Sequence, residues 1–471
     1  MRLLIIGGSD AGIEAGLGAK AFDENAEVTL LVADRYPNYS ICGIPYYVSG
    51  EVTQAENLAH RTQEELTAAG LHLRLGQRAV SIDPAEHTVT TQAGQQLSYD
   101  RLVIGTGAKP QRPPISGLDL LGPHDGVFEL HTMADTFALT SMLGQPQMRS
   151  AIIIGAGYIG LEMAEALSAR GLQVTVLERL DQVMARSLDA EAAGHLAAEL
   201  SRHGVDLHCG VTVDSLGRDG TRLLVTGTDG HRRSADLVLV VTGVTPDTQI
   251  AAAAGALTGA GQALAVDRRM RTNLPDVYAA GDCVETYHRL LDRTTYIPLG
   301  TTAHKQGRVA GENAAGGDRV FAGVLGTQVV KVFDLVSTAT GIRDQEALRA
   351  GFSPLTTQAT ADDHKAYYPG ATPVHMRLTG DRSSQRLLGA QIIGSRGAEI
   401  AKRIDVLATG IHHGITVREI LDLDLAYTPP LGSPWDALQQ AARQWLVTTG
   451  SAGSAAGGQG TALAAGSTAR R

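Results

Sequence analysis

The chain has 471 residues, room for about three domains, and its 43% hydrophobic and 19% charged residues exclude a disordered chain. Forty basic against 49 acidic residues leave a net charge of −9 with histidine neutral, which argues against nucleic acid or an anionic membrane as the main partner. Three cysteines, Cys42, Cys209 and Cys283, cannot make a disulfide framework for this length and suit a reducing compartment.

The first apolar run, 3–6, is stopped by Gly7-Gly8 and is too short for a secretory leader. No run reaches the roughly 18 apolar residues of a membrane span, so a cytoplasmic protein without membrane partners is expected. The segment 3–34 reads as strand 3–6, glycine turn 7–12, helix 13–21 and strand 28–32. A cysteine-bearing stretch, Ser40-Ile41-Cys42-Gly43-Ile44-Pro45-Tyr46-Tyr47, follows. A short strand, 102–104, then leads into Gly105-Thr106-Gly107. Residues 151–178 repeat the opening plan: strand 151–154, turn 155–160, helix 161–169, strand 174–177. Continuous apolar strands alternating with helices predict buried parallel sheets built from βαβ units. Two further strands, 237–241 and 277–280, also end at glycine, where ligands of open α/β sheets collect.

From 326 the pattern changes to antiparallel strands, 329–333, 374–378 and 387–393, with helices at about 397–411 and 435–446. The expected architecture is α/β: two Rossmann-like dinucleotide-binding domains and a C-terminal α+β domain. The boundaries read 1–112 with 245–325, then 113–244, then 326–446. Residues 447–471, Gly/Ala/Ser-rich from 450, read as a disordered tail.

Gly155-Ala156-Gly157-Tyr158-Ile159-Gly160 is a complete GxGxxG turn. Gly155 makes the tight turn, Gly157 admits a pyrophosphate, and Gly160 lets helix and strand pack. The helix N-terminus then faces the phosphates. Glu178, closing the next strand, accepts hydrogen bonds from an adenosine ribose and repels a 2′-phosphate, favouring NADH, while Arg179 leaves NADPH open. The first turn, Gly7-Gly8-Ser9-Asp10-Ala11-Gly12, is imperfect, with Ser9 at the middle glycine position. Val32 stands where its ribose-binding acid belongs, so the role is assigned to Asp34. Gly107 and Asp282, at strand ends, point to the same second nucleotide.

Cys42 lies at the mouth of a nucleotide fold beside a helix start, which lowers a thiol pKa and makes it nucleophilic. No second cysteine stands within ten residues. Cys42 must therefore cycle alone, through a mixed disulfide or a sulfenic acid. Cys209 and Cys283 read as packing residues.

At these residues the chain resembles the single-cysteine branch of the pyridine nucleotide–disulfide oxidoreductases: coenzyme A disulfide reductases, NADH oxidases and NADH peroxidases. The resemblance covers about 1–446. Its further marks are Gly160-Leu161-Glu162, Ala280-Gly281-Asp282-Cys283, Gln306-Gly307-Arg308, Tyr367-Tyr368-Pro369-Gly370, and Leu425-Ala426-Tyr427-Thr428-Pro429-Pro430 with Trp435-Asp436. It implies FAD on the first and third segments, NAD(P)H on the second, and a homodimer through the last domain. It implies that Cys42 is the redox thiol, that Tyr158 covers the nicotinamide face, and that Asp282 holds the ribityl chain. The helix at Gly300-Thr301 would face the flavin pyrimidine edge. Tyr427 and Tyr367 or Tyr368 would reach Cys42 from the partner subunit.

Departures bear on the electron acceptor. Asp10 stands where the oxidases and peroxidases carry histidine, although Ser9 matches that group. Ala21 stands where coenzyme A-binding reductases place arginine, leaving Lys20, Arg61, His304 and Lys305 as candidate substrate-binding groups. A small disulfide, with coenzyme A disulfide first, is the expected substrate. Oxygen or hydrogen peroxide is the alternative, and no metal is expected.

Overall fold

The computed structural model describes residues 1–454. They part into two compact units, Met1–Ser337 and the chain from Thr338 onward. The first unit contains both of the expected dinucleotide folds. Its principal strands are β1 (Arg2–Ile6), β2 (Glu27–Val32), β3 (Leu71–Leu75), β4 (Arg101–Ile104), β5 (Val127–Phe128), β6 (Ser150–Ile154), β7 (Gln173–Glu178), β8 (Asp206–Cys209), β9 (Leu237–Val240) and β10 (Val277–Ala279). They form two parallel sheets, in the orders β10-β4-β1-β2-β3 and β8-β7-β6-β9-β5. Each sheet sets at its centre the strand that leads into a glycine turn, β1 in one and β6 in the other. The next two strands of the chain lie on one side, and two more strands, the inner one leading to a glycine, lie on the other. Both loops that leave the central strands therefore open at a switch in strand order, where α/β sheets bind nucleotides.

The strands read as unbroken apolar runs because both of their faces are covered. Leu3 and Ile5 pack with Ile13 and Ala15 of α1 (Asp10–Phe22), whereas Leu4 and Ile6 pack with Leu102 and Ile104 on the other face. Each such fully buried side chain contributes roughly 1.5–3 kcal/mol. Further along are α2 (Ile44–Ser49), α3 (Tyr158–Ala169) and α4 (Gly300–Ala314). Helices α1 and α4 lie backbone to backbone. A Cβ on Gly307 would sit 2.3 Å from the Ala11 carbonyl oxygen, and one on Gly311 would sit 1.8 Å from that of Ala15. That approach fixes the N-terminus of α4 beside that of α1.

The second unit begins within β11 (Leu335–Gly341) and continues with β12 (Pro354–Asp362), β13 (Pro373–Asp381) and β14 (Leu387–Ser395) in the order β11-β14-β13-β12. Two antiparallel pairings, β12 with β13 and β13 with β14, build it as an α+β unit. Helices α5 (Ile400–His413), α6 (Val417–Leu421) and α7 (Ala437–Ser454) follow. Trp445 of α7 is fully buried and donates its indole N–H to the Leu355 carbonyl at 2.7 Å. The pattern had not marked β11 or β12, which are written largely in Ser, Thr and Ala and lack an apolar alternation. Helix α7 runs on to Ser454, past position 446 where the tail was placed. The rest of that expected tail, 455–471, lies outside the described residues. Among the described residues no helix is long and apolar enough to cross a membrane.

Candidate active site

The 155–160 loop joins β6 to α3. Gly155 adopts φ +111°, and a Cβ on Gly160 would lie 2.0 Å from the Gly155 carbonyl oxygen, so neither position accepts a side chain. Gly157 faces open space, with nothing within 4 Å of where its Cβ would stand. It is also the N-cap of α3 and brings no side-chain cap, leaving the first-turn N–H groups for an anion. Glu178, at the end of β7, is bound to this loop. One carboxylate oxygen accepts the Ala156 N–H at 2.7 Å and the other accepts the Leu180 N–H at 2.8 Å. Tyr158 opens α3, and burial pushes its pKa up to about 12.

The 7–12 loop copies the turn but not the acid. Gly7 has φ +122°, and a Cβ on Gly12 would lie 2.1 Å from the Gly7 carbonyl oxygen. Val32 takes the place that Glu178 has in the other fold, and a Cβ on Gly8 would meet its side chain at 2.5 Å. Asp34 is exposed beyond the strand, its carboxylate accepting the Tyr36 N–H at 2.8 Å. Ser9 caps α1 without a side-chain bond. Gly107, at φ +71°, faces open space.

Two observations fit a bound flavin dinucleotide. Asn38, which donates its backbone N–H to the Gly8 carbonyl, is 1% exposed, yet both ends of its carboxamide lack partners. Asp282 follows Gly281, whose N–H donates to Gln306 Oε1, and its carboxyl is pushed up to about 6 by burial and by Asp10. A buried polar group left unpaired is costly unless a ligand answers it. Thr301 is exposed in the first turn of α4, whose N-cap Leu299 supplies no side-chain bond.

Cys42 sits in a short 3₁₀ turn just before α2 and reaches solvent. Its environment corrects one expectation. Burial by the surrounding protein, then the charges of Glu162, Asp10 and Asp282, raise the thiol pKa instead of lowering it. Burial is the largest of these causes, and the N-terminus of the six-residue α2 does not offset it together with three carboxylates. Glu162, four residues after Tyr158 on α3, was quoted in the motif but not marked as a site. Its helical spacing from Tyr158 was the available signal. Burial pushes Glu162 up to about 7, against a hydrogen bond from the Tyr46 hydroxyl at 3.3 Å and the charge of Lys331. Lys331 itself pairs with Glu165 and lies 5.6 Å above the Tyr46 ring.

Above pH 8 Glu162 is mostly ionised and opposes the Cys42 thiolate. Glu162→Gln is therefore expected to speed iodoacetamide alkylation of Cys42 at pH 8 by roughly three- to tenfold. Peptide mass spectrometry, which separates Cys42 from Cys209 and Cys283, reads the rate. An unchanged or slower rate means that Glu162 does not govern the thiol.

Asp10 opens α1 and gathers groups from distant segments. Its Oδ1 lies 3.4 Å from His304 Nε2 on α4 and 4.0 Å from His60 Nε2. Glu14, one turn on, lies 3.6 Å from His304 Nδ1 and 3.3 Å from Arg61 Nη1. Arg61 and His304 thus meet beside Asp10, and His60, which the motifs gave no reason to mark, joins them. Lys20 does not. It lies ten residues along α1, about 15 Å away, and donates its ammonium to the carbonyls of Glu24 and Ala26. Those carbonyls lie in the turn just past the C-terminus of α1, within reach of a lysine in its last turn. Lys305 is exposed one position past His304.

Tyr367, Tyr368 and Tyr427 belong to the second unit, where they are 70%, 43% and 44% exposed beside exposed Leu431 and Trp435. Arg403 ties their two segments together. Its guanidinium donates to the Asp363 carbonyl at 2.8 Å and to Asp436 at 3.1 Å. The Tyr427 pKa is raised by desolvation and by the neighbouring Tyr367 hydroxyl.

Residues 1–307 match the family model described as pyridine nucleotide-disulphide oxidoreductase, and residues 327–438 match the dimerisation domain of the same family. The chain is 34% identical over 444 residues to the NAD(P)H coenzyme A polysulfide/persulfide reductase of Pyrococcus horikoshii, covering 94% of this chain and 98% of that one. It is 30% identical to the NADH oxidase of Methanocaldococcus jannaschii, covering 95% and 99%. The structure of a NAD-dependent persulfide reductase from A. fulgidus superimposes with a TM-score of 0.90 at 35% identity, over 96% of this chain and 84% of that one.

Proposed function

The chain belongs to the pyridine nucleotide-disulphide oxidoreductases, FAD-dependent enzymes that use NAD(P)H, and from that premise we propose that it reduces the sulfur–sulfur bond of a small coenzyme A-type disulfide or persulfide through Cys42. The observation that carries this reading is the solitude of Cys42. All three cysteines are free; Cys283 is buried, with its thiol turned to backbone carbonyls, and Cys209 is half-buried on β8. A thiol without an internal partner must take its partner from the substrate. The relative named for coenzyme A persulfide chemistry supplies the substrate class.

FAD, when bound, supplies the two-electron link between the nicotinamide hydride and the sulfur. Residues 1–112 and 245–325 hold it, with Gly7, Ser9 and Gly12 at the pyrophosphate, Asp34 at the ribose, and Gly107, Asp282 and Thr301 along the rest of the molecule. Residues 113–244 hold NAD(P)H on Gly155, Gly157 and Gly160, with Glu178 on its ribose and Tyr158 as a removable cover. Cys42 Sγ attacks one substrate sulfur, a new S–S bond forms, and the old one breaks. The departing thiolate takes a proton from Asp10 or Tyr427. Two electrons from NAD(P)H then free the second thiol, so one disulfide, one NAD(P)H and one proton give two thiols and NAD(P)⁺. Arg61 and Lys305 offer positive charge, and His304 an imidazole, to a phosphate-bearing thiol. Residues 326–446 pair two copies, and Tyr367, Tyr368 and Tyr427 of the second copy complete the site. Their exposure on the second unit supports that arrangement.

Intact-mass measurement tests the proposal. Incubation with coenzyme A disulfide adds one coenzyme A moiety per chain, on Cys42, and NADH removes it. A mass that never changes, alongside rapid NADH loss in air, supports the oxidase reading instead. That reading is favoured by one observation: His60 and His304 bring imidazoles to Asp10, where the oxidases carry histidine.

A further inference from the structure

We propose that Asp10, His60 and His304 form a binding site for a divalent transition-metal ion such as Zn²⁺. Their ligand atoms, Asp10 Oδ1, His60 Nε2 and His304 Nε2, all lie within 4.8 Å of one another. The two histidine nitrogens stand 4.0 and 3.4 Å from the same carboxylate oxygen. Donors at about 2.0–2.2 Å around a tetrahedral ion lie roughly 3.3–3.5 Å apart. The measured separations are too long for hydrogen bonds and close to the edges of a coordination shell. The wider edge belongs to His60, which is exposed on its loop.

Three further observations point the same way. Asp10 Oδ1 is buried and accepts no hydrogen bond, so its lone pairs face the two imidazoles without a donor. His304 turns its other nitrogen, Nδ1, to Glu14 Oε1 at 3.6 Å, and Arg61 Nη1 in turn holds Glu14. That separation is longer than a hydrogen bond, but it places a carboxylate where the outer-shell partner of a ligating histidine stands. The three residues come from the start of α1, a loop and the start of α4. The close packing of α1 on α4 holds two of them in place before any ion arrives. Two histidines and one carboxylate leave coordination positions open to water or a sulfur ligand.

A second His/carboxylate cluster gives the contrast. Glu199, His203 and Asp334 also converge. There, however, Arg202 Nη2 already lies 2.8 Å from both Glu199 Oε1 and His203 Nε2 and pairs with Asp334. A guanidinium fills that place. Around Asp10 Oδ1 the nearest basic groups are the two imidazoles themselves, and Arg61 is engaged by Glu14. The charge of Asp10 is felt at Cys42, so an ion held on Asp10 changes the field at the redox thiol.

Calorimetric titration of ZnCl₂ into chelator-treated holoenzyme tests the site. One ion per chain is expected to bind. His304→Gln and His60→Gln should each weaken binding by about tenfold or more, while Cys42→Ser retains it. FAD content and far-ultraviolet circular dichroism check that each variant is folded, and the exposed His60 keeps the test available if His304→Gln is not. Absence of binding, binding indifferent to both histidine variants, or binding lost with Cys42→Ser would each overturn the proposal. The last of these would mark a thiol-held metal instead.

Discussion

Cys42→Ser is expected to leave FAD content and NADH-dependent bleaching of flavin absorbance unchanged while lowering disulfide turnover by roughly a thousandfold or more. The serine hydroxyl is nearly isosteric, and Cys42 reaches solvent, so the substitution opens no cavity and disturbs no core. What it removes is the only thiol at the mouth of the nucleotide folds. A hydroxyl of pKa far above that of a thiol does not attack sulfur at neutral pH and cannot hold a mixed disulfide. Anaerobic stopped-flow absorbance measures the first half of the cycle, and release of free thiol from coenzyme A disulfide measures the second. Retained thiol release would refute the role of Cys42. Loss of NADH-dependent bleaching would show instead that the residue shapes the cofactor sites.

The thiol pKa adds a second dimension to that result. With burial first, and then Glu162, Asp10 and Asp282, raising it, wild-type Cys42 is mainly protonated at neutral pH in the free chain, and its reactivity climbs with pH. This is the behaviour that Glu162→Gln is expected to displace.

The second large effect concerns the dinucleotide. Glu178→Ala is expected to raise KM for NADH by roughly 10–100-fold, the loss of a charge-assisted hydrogen bond worth about 1.5–3 kcal/mol. KM for NADPH should stay level or fall, because the negative charge that repels a 2′-phosphate is gone and Arg179 is exposed next to it. The carboxylate now bridges Ala156 N–H and Leu180 N–H, so its distance from the glycine loop is set before the cofactor binds. Glu178→Gln separates the contributions: it keeps an acceptor for the ribose but loses the repulsion. Steady-state KM values for both nucleotides decide the matter. An equal loss for NADH and NADPH would mean that Glu178 supports the loop and does not read the ribose.

Much of this molecule is local in origin. The βαβ units of residues 3–34 and 151–178, their glycine turns and the isolation of Cys42 are all written within stretches of some thirty residues. Hydrophobic period and turn chemistry act over that range, so these features could be read directly from the chain. The electrostatic character of the site could not, because it is assembled from segments far apart in sequence. Burial by the surrounding fold, and then the charge of Glu162, 120 positions from Cys42, raise the thiol pKa instead of lowering it. His304 meets Asp10 because the glycines of α4 let it lie against α1, and His60 reaches the same carboxylate from a separate loop. Lys20, on the same helix as Asp10, turns instead to carbonyls at the far end. Charge acts through space and through the low-dielectric interior, so the path of the folded backbone, and not adjacency along it, sets which groups Cys42 feels.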